Sequence, residues 1–144
     1  MNYNITQAQF GVRPPVTKPD PKVLEFLGEE GMRKLISEHY DILKTSEIKD
    51  LFPKNEEAFA LAKQHSSDFF IQICGGPDYF NQNRGNPMMV GRHQPFKITP
   101  KARLVWLQSY IKVLENIEMP DDLKQSFWNY LDIFSIWMIN TPQD

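Results

Sequence analysis

The chain has 144 residues, 41% of them hydrophobic and 24% charged, which suits one soluble domain built around a single apolar core. Sixteen Lys+Arg against eighteen Asp+Glu leave a net charge of -2, which argues against a nucleic-acid partner bound through a basic face. One cysteine, Cys74, excludes a disulfide framework and any multi-cysteine metal site, and only His39, His65 and His93 are available for histidine chemistry.

No apolar run approaches the roughly 20 residues that span a bilayer. The opening residues Met1 to Gln7 lack the basic start and apolar stretch of a signal peptide. The expectation is a reduced, cytoplasmic protein without a membrane partner. Residues 1–21 are polar and carry Pro14, Pro15, Pro19 and Pro21, so they read as an extended arm rather than a helix. That composition is compatible with a disordered arm or with one that packs across the body.

From Val23 the period is helical. Met32, Leu35, Ile36, His39, Tyr40 and Leu43 share one helix face, and Gly28 and Gly31 suggest a short helix and a bend before it. Leu51-Phe52-Pro53 closes that region, because the residue before a proline is pushed out of the helical well. A second helix is expected from Glu56 to Ile73, with Phe59, Ala62, Ser66, Phe69, Phe70 and Ile73 inward and Asp68 on the polar side. Gly75-Gly76-Pro77 stops it. Thr99-Pro100 supplies an N-cap and a first-turn proline for a third helix bearing Ala102, Val105, Trp106, Ser109, Tyr110 and Val113. Asp121 is the expected cap of the last helix, whose apolar face is Leu123, Phe127, Tyr130, Leu131, Phe134, Trp137 and Met138. No strand alternation and no internal repeat is evident, so the chain reads as an all-α domain.

The anomaly is the stretch from Gly75 to Pro95, which holds four glycines, three prolines and His93 and reads as a long irregular loop. Loops of that length in compact domains are usually functional or disordered. The segment ends in Gly91-Arg92-His93-Gln94-Pro95-Phe96. A histidine with a basic neighbour and an aromatic ring close behind has the donor chemistry of an axial haem ligand. From residue types alone, a loop histidine that caps a helix or binds a carbonyl is the commoner outcome.

Several motifs in order shift that balance. Gly75-Gly76-Pro77, Tyr79, Gly85, Pro87, Arg92-His93-Gln94-Pro95-Phe96, Arg103 and Trp106-Leu107 closely resemble the truncated (2-on-2) haemoglobins, most of all their group II branch. Leu27-Gly28-Glu29-Glu30-Gly31, Tyr40 and Leu51-Phe52-Pro53 match the earlier part of the same pattern, so the resemblance runs from about Val23 to the end. It implies a truncated globin over residues 22–144 with a proline-containing extension, 1–21, and haem b as cofactor.

Residue by residue, the resemblance implies His93 as the proximal iron ligand and Trp106 and Tyr40 as distal donors to a diatomic ligand. It implies Ala62 and Ser66 on the distal helix, Phe52, Phe69, Phe70 and Phe96 packed on the haem, and Arg92 at a propionate. Without it, Tyr40 and Trp106 would read as core aromatics. Four positions depart from the family pattern. Val90 replaces a further basic residue, His39 stands where an aromatic is common before the distal tyrosine, Ser66 replaces an aliphatic residue or glutamine, and Cys74 replaces a bulkier one. Cys74 reads as a small buried hydrophobe. His65 lies one step off the inward face, and its approach to the haem, like that of His39, stays open.

The resemblance implies reversible binding of dioxygen, nitric oxide or carbon monoxide by a monomer or homodimer. Its rival is a redox enzyme, either a nitric-oxide dioxygenase or peroxidase-like, drawing electrons from a separate reductase because no reductase domain is encoded here. A cofactor-free helical interaction module is the remote third reading.

Overall fold

The computed structural model describes residues 1–142; residues 143 and 144, at the end of the expected 22–144 segment, lie outside the described part. Among the described residues there are six α-helices and no strand. They are α1 (Lys22–Leu43), α2 (Glu56–Ile73), α3 (Tyr79–Arg84), α4 (Met89–His93), α5 (Pro100–Leu114) and α6 (Asp121–Met138), with a single 3-10 turn at Lys49–Leu51. Helix α1 packs on α2 and α5 packs on α6, and the two pairs meet where α1 crosses α5 and α6.

Local chemistry sets the ends of these helices. Asn55 accepts a hydrogen bond from the Ala58 amide at the start of α2, and Thr99 accepts one from Ala102 ahead of Pro100 in α5. Asp121 is not a cap: Pro120 holds the N-cap position in an extended conformation, and Asp121 with Asp122 forms the first helical turn. There their carboxylates favour the positive end of the helix dipole. The bend expected in α1 falls at Gly28, whose φ of 70° and ψ of 169° are open to glycine but strained for other residues. At Gly76 the need is space, since an added Cβ would lie 2.6 Å from Leu24 Cδ2 and 2.9 Å from the Ile71 carbonyl oxygen.

The Gly75–Pro95 segment is more regular than expected, because it contains α3 and α4. Helices of six and five residues are too short to show a 3.6-residue period. Neighbouring side chains hold them instead. Gln72 of α2 accepts from the Asn81 amide at 3.0 Å and donates to the Asn81 side chain at 3.0 Å, which satisfies the start of α3. Asp68, expected on the polar side of α2, is buried; it accepts from Arg33 of α1 at 2.8 Å and from Asn83 of α3 at 3.1 Å.

The core is aromatic. Phe70 meets Tyr110, Phe127, Tyr130 and Phe134 with ring centroids 5.7–6.5 Å apart, joining α2 to α5 and α6. Trp128 is also fully buried, although it lies outside the apolar face expected for α6. Its cover is the N-terminal arm. The arm runs beside α6 through Asn2–Gln125, Asn4–Trp128 and Thr6–Asp132 hydrogen bonds, turns at Phe10–Gly11, and returns past Trp137 to Ser126.

One buried node joins arm, α5 and α6. Arg103 donates to the Asp132 carboxylate at 2.6 Å, to Ser135 Oγ at 2.9 Å and to the Thr6 carbonyl at 2.9 Å. Asp132 also accepts from the Thr6 amide and hydroxyl, so its carboxylate is fully partnered. Removing one member of a buried pair leaves the other charge uncompensated. Asp132→Ala is therefore expected to lower unfolding stability by roughly 3–5 kcal/mol in urea titration, whereas a loss below about 1 kcal/mol would mean the arm contributes little.

Candidate functional site

His93 ends α4, and the segment around it is held from two sides. Asn140, just past α6, donates to the His93 and Phe96 carbonyls at 3.1 and 2.7 Å and accepts from the Ile98 amide at 3.0 Å. On the other side Arg92 donates to the carbonyls of Pro87, Arg84 and Asn86 at 2.6, 2.8 and 3.0 Å. That clasp stabilises the entry to α4, where Met88 adopts a left-handed conformation with φ 42°. The His93 Nδ1–H donates to the Met89 carbonyl at 2.6 Å, which fixes the tautomer and leaves Nε2 as the lone-pair nitrogen. Burial pulls the His93 pKa below its ordinary value while the Met89 carbonyl opposes this, so the ring is neutral near pH 7.

His93 lines a cavity of about 270 Å³ between α1, α2, α5 and α6. Of the residues singled out from sequence, Tyr40, Phe52, Ala62, Phe96 and Trp106 line the same cavity. Phe52 meets Tyr40 edge-on at 5.5 Å, and Phe96 stands at the rim, 45% exposed. Burial raises the Tyr40 pKa, and a side-chain hydrogen bond from Ser66 works the other way, so the phenol is protonated at neutral pH. Ser66 itself is not among the lining residues.

The indole of Trp106 differs from the other two. Trp128 and Trp137 donate their N–H groups to arm carbonyls, those of Asn4 and Pro14, at 2.7 Å each. Trp106 packs edge-on to Tyr110 at 4.8 Å, and among the described residues its N–H has no hydrogen-bond partner.

With Ser66, three more of the expected positions, Phe69, Phe70 and Arg92, fall elsewhere. Phe69 and Phe70 are buried behind Phe134, with centroids 5.6 and 6.5 Å from that ring, and do not reach the cavity. Arg92 engages loop carbonyls and stacks over Phe80 at 5.2 Å. His65 does not line the cavity; burial and the charges of Arg84 and Arg92 lower its pKa, Asp68 opposes them, and its Nδ1 is buried without a partner.

The sequence reading assigned no site role to Ile98, Arg103, Phe134, Ser135 and Met138, or to Ile48, Leu51, Pro53 and Ala102, which also line the cavity. Phe134 and Met138 were legible only as α6 core positions, although their i,i+4 spacing placed them side by side. Arg103 carried a motif signal but no assigned role. A shallower groove between Val16, Met88–Gly91 and Trp137 shares Phe134 and Met138 with this cavity.

The site is thus an apolar, aromatic-walled slot in an all-helical sandwich. A neutral imidazole enters it on one side, and a phenol and an indole stand among its walls. Residues 23–140 match the family model for the bacterial-like globins. The group 2 truncated hemoglobin YjbI of Bacillus subtilis is 25% identical over 120 residues, covering 83% of this chain and 89% of that protein. Among solved structures, phosphate-bound Hell's gate globin IV superposes with TM-score 0.88 at 37% identity, covering 98% of this chain and 89% of that one. The haemoglobin of the thermophilic phototroph Chloroflexus aurantiacus gives TM-score 0.75 at 28% identity, over 82% and 97%. The chain belongs to the bacterial-like globin family, in the group II truncated haemoglobin branch with its 2-on-2 fold. Membership implies haem binding, and the residues present fit that group. A neutral histidine offers Nε2, the slot is largely apolar, and polar donors stand along it.

One further histidine adjoins the slot. His39 is fully buried, stacked on Tyr110 at 3.4 Å, with Nε2 3.0 Å from the Trp106 carbonyl. Burial lowers its pKa from 6.5 to about 3, although the Trp106 carbonyl pulls upward. Above pH 6.5 neither state is charged at this ring; below it the unfolded chain takes up a proton that the folded chain refuses. Stability should fall by about 1.4 kcal/mol per pH unit from this group as the pH drops toward about 4. His39→Phe should lack that share, so urea titrations from about pH 7 to about pH 4 should show the stability gap shifting in the variant's favour. A gap independent of pH would mean that the folded state protonates His39.

Proposed function

We propose that this chain binds haem b with His93 as the proximal ligand and reversibly holds dioxygen, nitric oxide or carbon monoxide beside Tyr40 and Trp106. When bound, the haem would supply a ferrous iron with one open position for a diatomic ligand. Everything else is the work of the chain. The Met89 carbonyl orients the His93 ring, and the clasps of Asn140 and Arg92 hold the α4 end at the slot. Phe52, Phe96 and Phe134 line the slot with apolar rings and exclude water from it.

The observation that carries the reading is the unpartnered N–H of Trp106. A tryptophan is a donor only. Trp128 and Trp137 give their N–H groups to arm carbonyls, while half-buried Trp106 presents its indole at the cavity with the N–H left free for a ligand. A partly negative diatomic ligand is the acceptor that would complete it. The Tyr40 phenol, kept protonated by burial and lining the same cavity, offers its O–H as a second donor. Each bond is worth about 1–1.5 kcal/mol, or roughly tenfold in release rate, which favours slow release over bulk delivery. A cytoplasmic setting matches the single buried thiol, which burial pushes up to about 12 and so keeps unreactive.

Purified protein should be red with a Soret band that His93→Ala abolishes, and colourless protein that cannot be reconstituted with haem would overturn the reading. Trp106→Phe should speed dioxygen release in stopped flow about tenfold. An unchanged rate would mean that the indole does not reach the ligand.

A further inference from the structure

His39 is a chemical oddity in its surroundings. It is completely buried, with Tyr110 stacked against it at an interplanar angle of 17° and Trp106 and Tyr40 edge-on at 5.4 and 6.3 Å. Because a carbonyl faces Nε2, the hydrogen of the neutral ring sits there, and Nδ1 is left as a bare acceptor. That atom is buried and has no partner among the described residues. A phenyl ring of similar shape would fill the same space without a stranded lone pair, so burial and packing alone do not account for an imidazole here. What the imidazole adds is one N–H, directed at the main chain of Trp106.

The placement of that bond is the point. His39 immediately precedes Tyr40 on α1, and its acceptor is the carbonyl of Trp106 on α5. One hydrogen bond therefore ties together the two helices that carry the phenol and the indole of the cavity. The Trp106 carbonyl lies within α5 and also takes part in the helix ladder, so the bond is an added constraint and not the carbonyl's sole partner.

We propose that His39 is a positioning residue that fixes Trp106 relative to Tyr40 by tethering α1 to α5 through its Nε2–H. This rests on the reading that the Tyr40–Trp106 pair faces a diatomic ligand. His39 does not line the cavity and acts only through Trp106.

The test separates a tether from a packing role by pairing two variants of the haem-loaded protein, oxygenated for the release rates and carbon-monoxide-bound for the melting and NMR measurements. His39→Phe keeps the ring and loses the donor; His39→Gln returns an N–H close to the Nε2 position and loses the stacked ring. The readouts are thermal stability, dioxygen release, and the fluorine NMR resonance of Trp106 in 5-fluorotryptophan-labelled protein, assigned by its absence in Trp106→Phe.

His39→Phe is expected to melt no lower than the parent, to split or broaden the Trp106 resonance, and to release dioxygen at least threefold faster. His39→Gln should melt lower yet keep a single resonance and a release rate within twofold of the parent. The opposite pattern, Phe behaving like the parent and Gln disordering Trp106, would overturn the tether. Should the phenyl ring not be accommodated, His39→Met gives the same comparison with a smaller apolar side chain. An unchanged release rate in Trp106→Phe would sink the ligand reading, and the fluorine resonance would still decide the tether. A normal Trp106 effect on release with an unmoved resonance in His39→Phe would sink the tether alone.

Discussion

The Arg103–Asp132 pair is the constraint on which the arrangement of this globin depends. Taking two charges out of water is costly unless the polar atoms find partners, and here each guanidinium nitrogen and both carboxylate oxygens have one. Arg103 reaches Ser135, the Asp132 carboxylate and carbonyl, and Thr6; Asp132 collects both the amide and the hydroxyl of Thr6. Because the geometry is satisfied only when α5, α6 and the arm are all in place, the pair selects one packing of three segments. Arg103 and Ser135 are also cavity wall, so the same node that anchors the arm shapes the site. A hydrocarbon pair of equal volume would bury as well, but it would not specify where Thr6 must sit.

That anchoring accounts for how a short chain manages its tryptophans. A buried indole must give its N–H to something, and without the arm Trp128 would be uncovered and Trp137 more exposed than it is. The arm supplies both the apolar cover and the carbonyls of Asn4 and Pro14. Tyr3 adds an edge-on contact to Trp128 at 5.1 Å. The arm thus contributes backbone acceptors as well as surface. Trp106, at the cavity, receives no such acceptor among the described residues, and the contrast sets it apart from the other two indoles.

The helices were legible in the sequence to the extent that they are long and one-sided. Met32, Leu35, Ile36, His39 and Leu43 are all buried, the Thr99 cap forms, and α1 bends at Gly28, because these features depend on local spacing and local conformational freedom. Features made by distant partners were not legible. Asp68 looks like a solvated face residue until Arg33 and Asn83 arrive from other helices. Trp128 looks exposed until the arm covers it. Helices α3 and α4 are too short for periodicity; Gln72 holds α3 from α2, and Arg92 ties α4 to the loop before it. In the site, the motif order located His93, Tyr40, Phe52, Ala62, Phe96 and Trp106 on one cavity. It misjudged depth at Phe69 and Phe70, since a helix face spans about 100° and spacing does not say which part meets the cavity and which the core.

A cavity walled by aromatic rings is under pressure to close, because every apolar wall atom without a neighbour forgoes dispersion contacts. Rigid attachment of each wall is what opposes that collapse. The wall at His93 is fixed at its ends by Arg92 and Asn140, the rear wall by Arg103 and Asp132, and the wall of Tyr40 and Trp106 by the His39 bridge between α1 and α5. Each of these polar groups holds main-chain atoms, carbonyls above all, so it fixes backbone position and leaves the cavity-lining side chains their own packing. Polar anchors at the periphery and apolar rings at the centre are therefore two halves of one device. The slot stays open because the atoms that would otherwise fill it are tied to positions just outside.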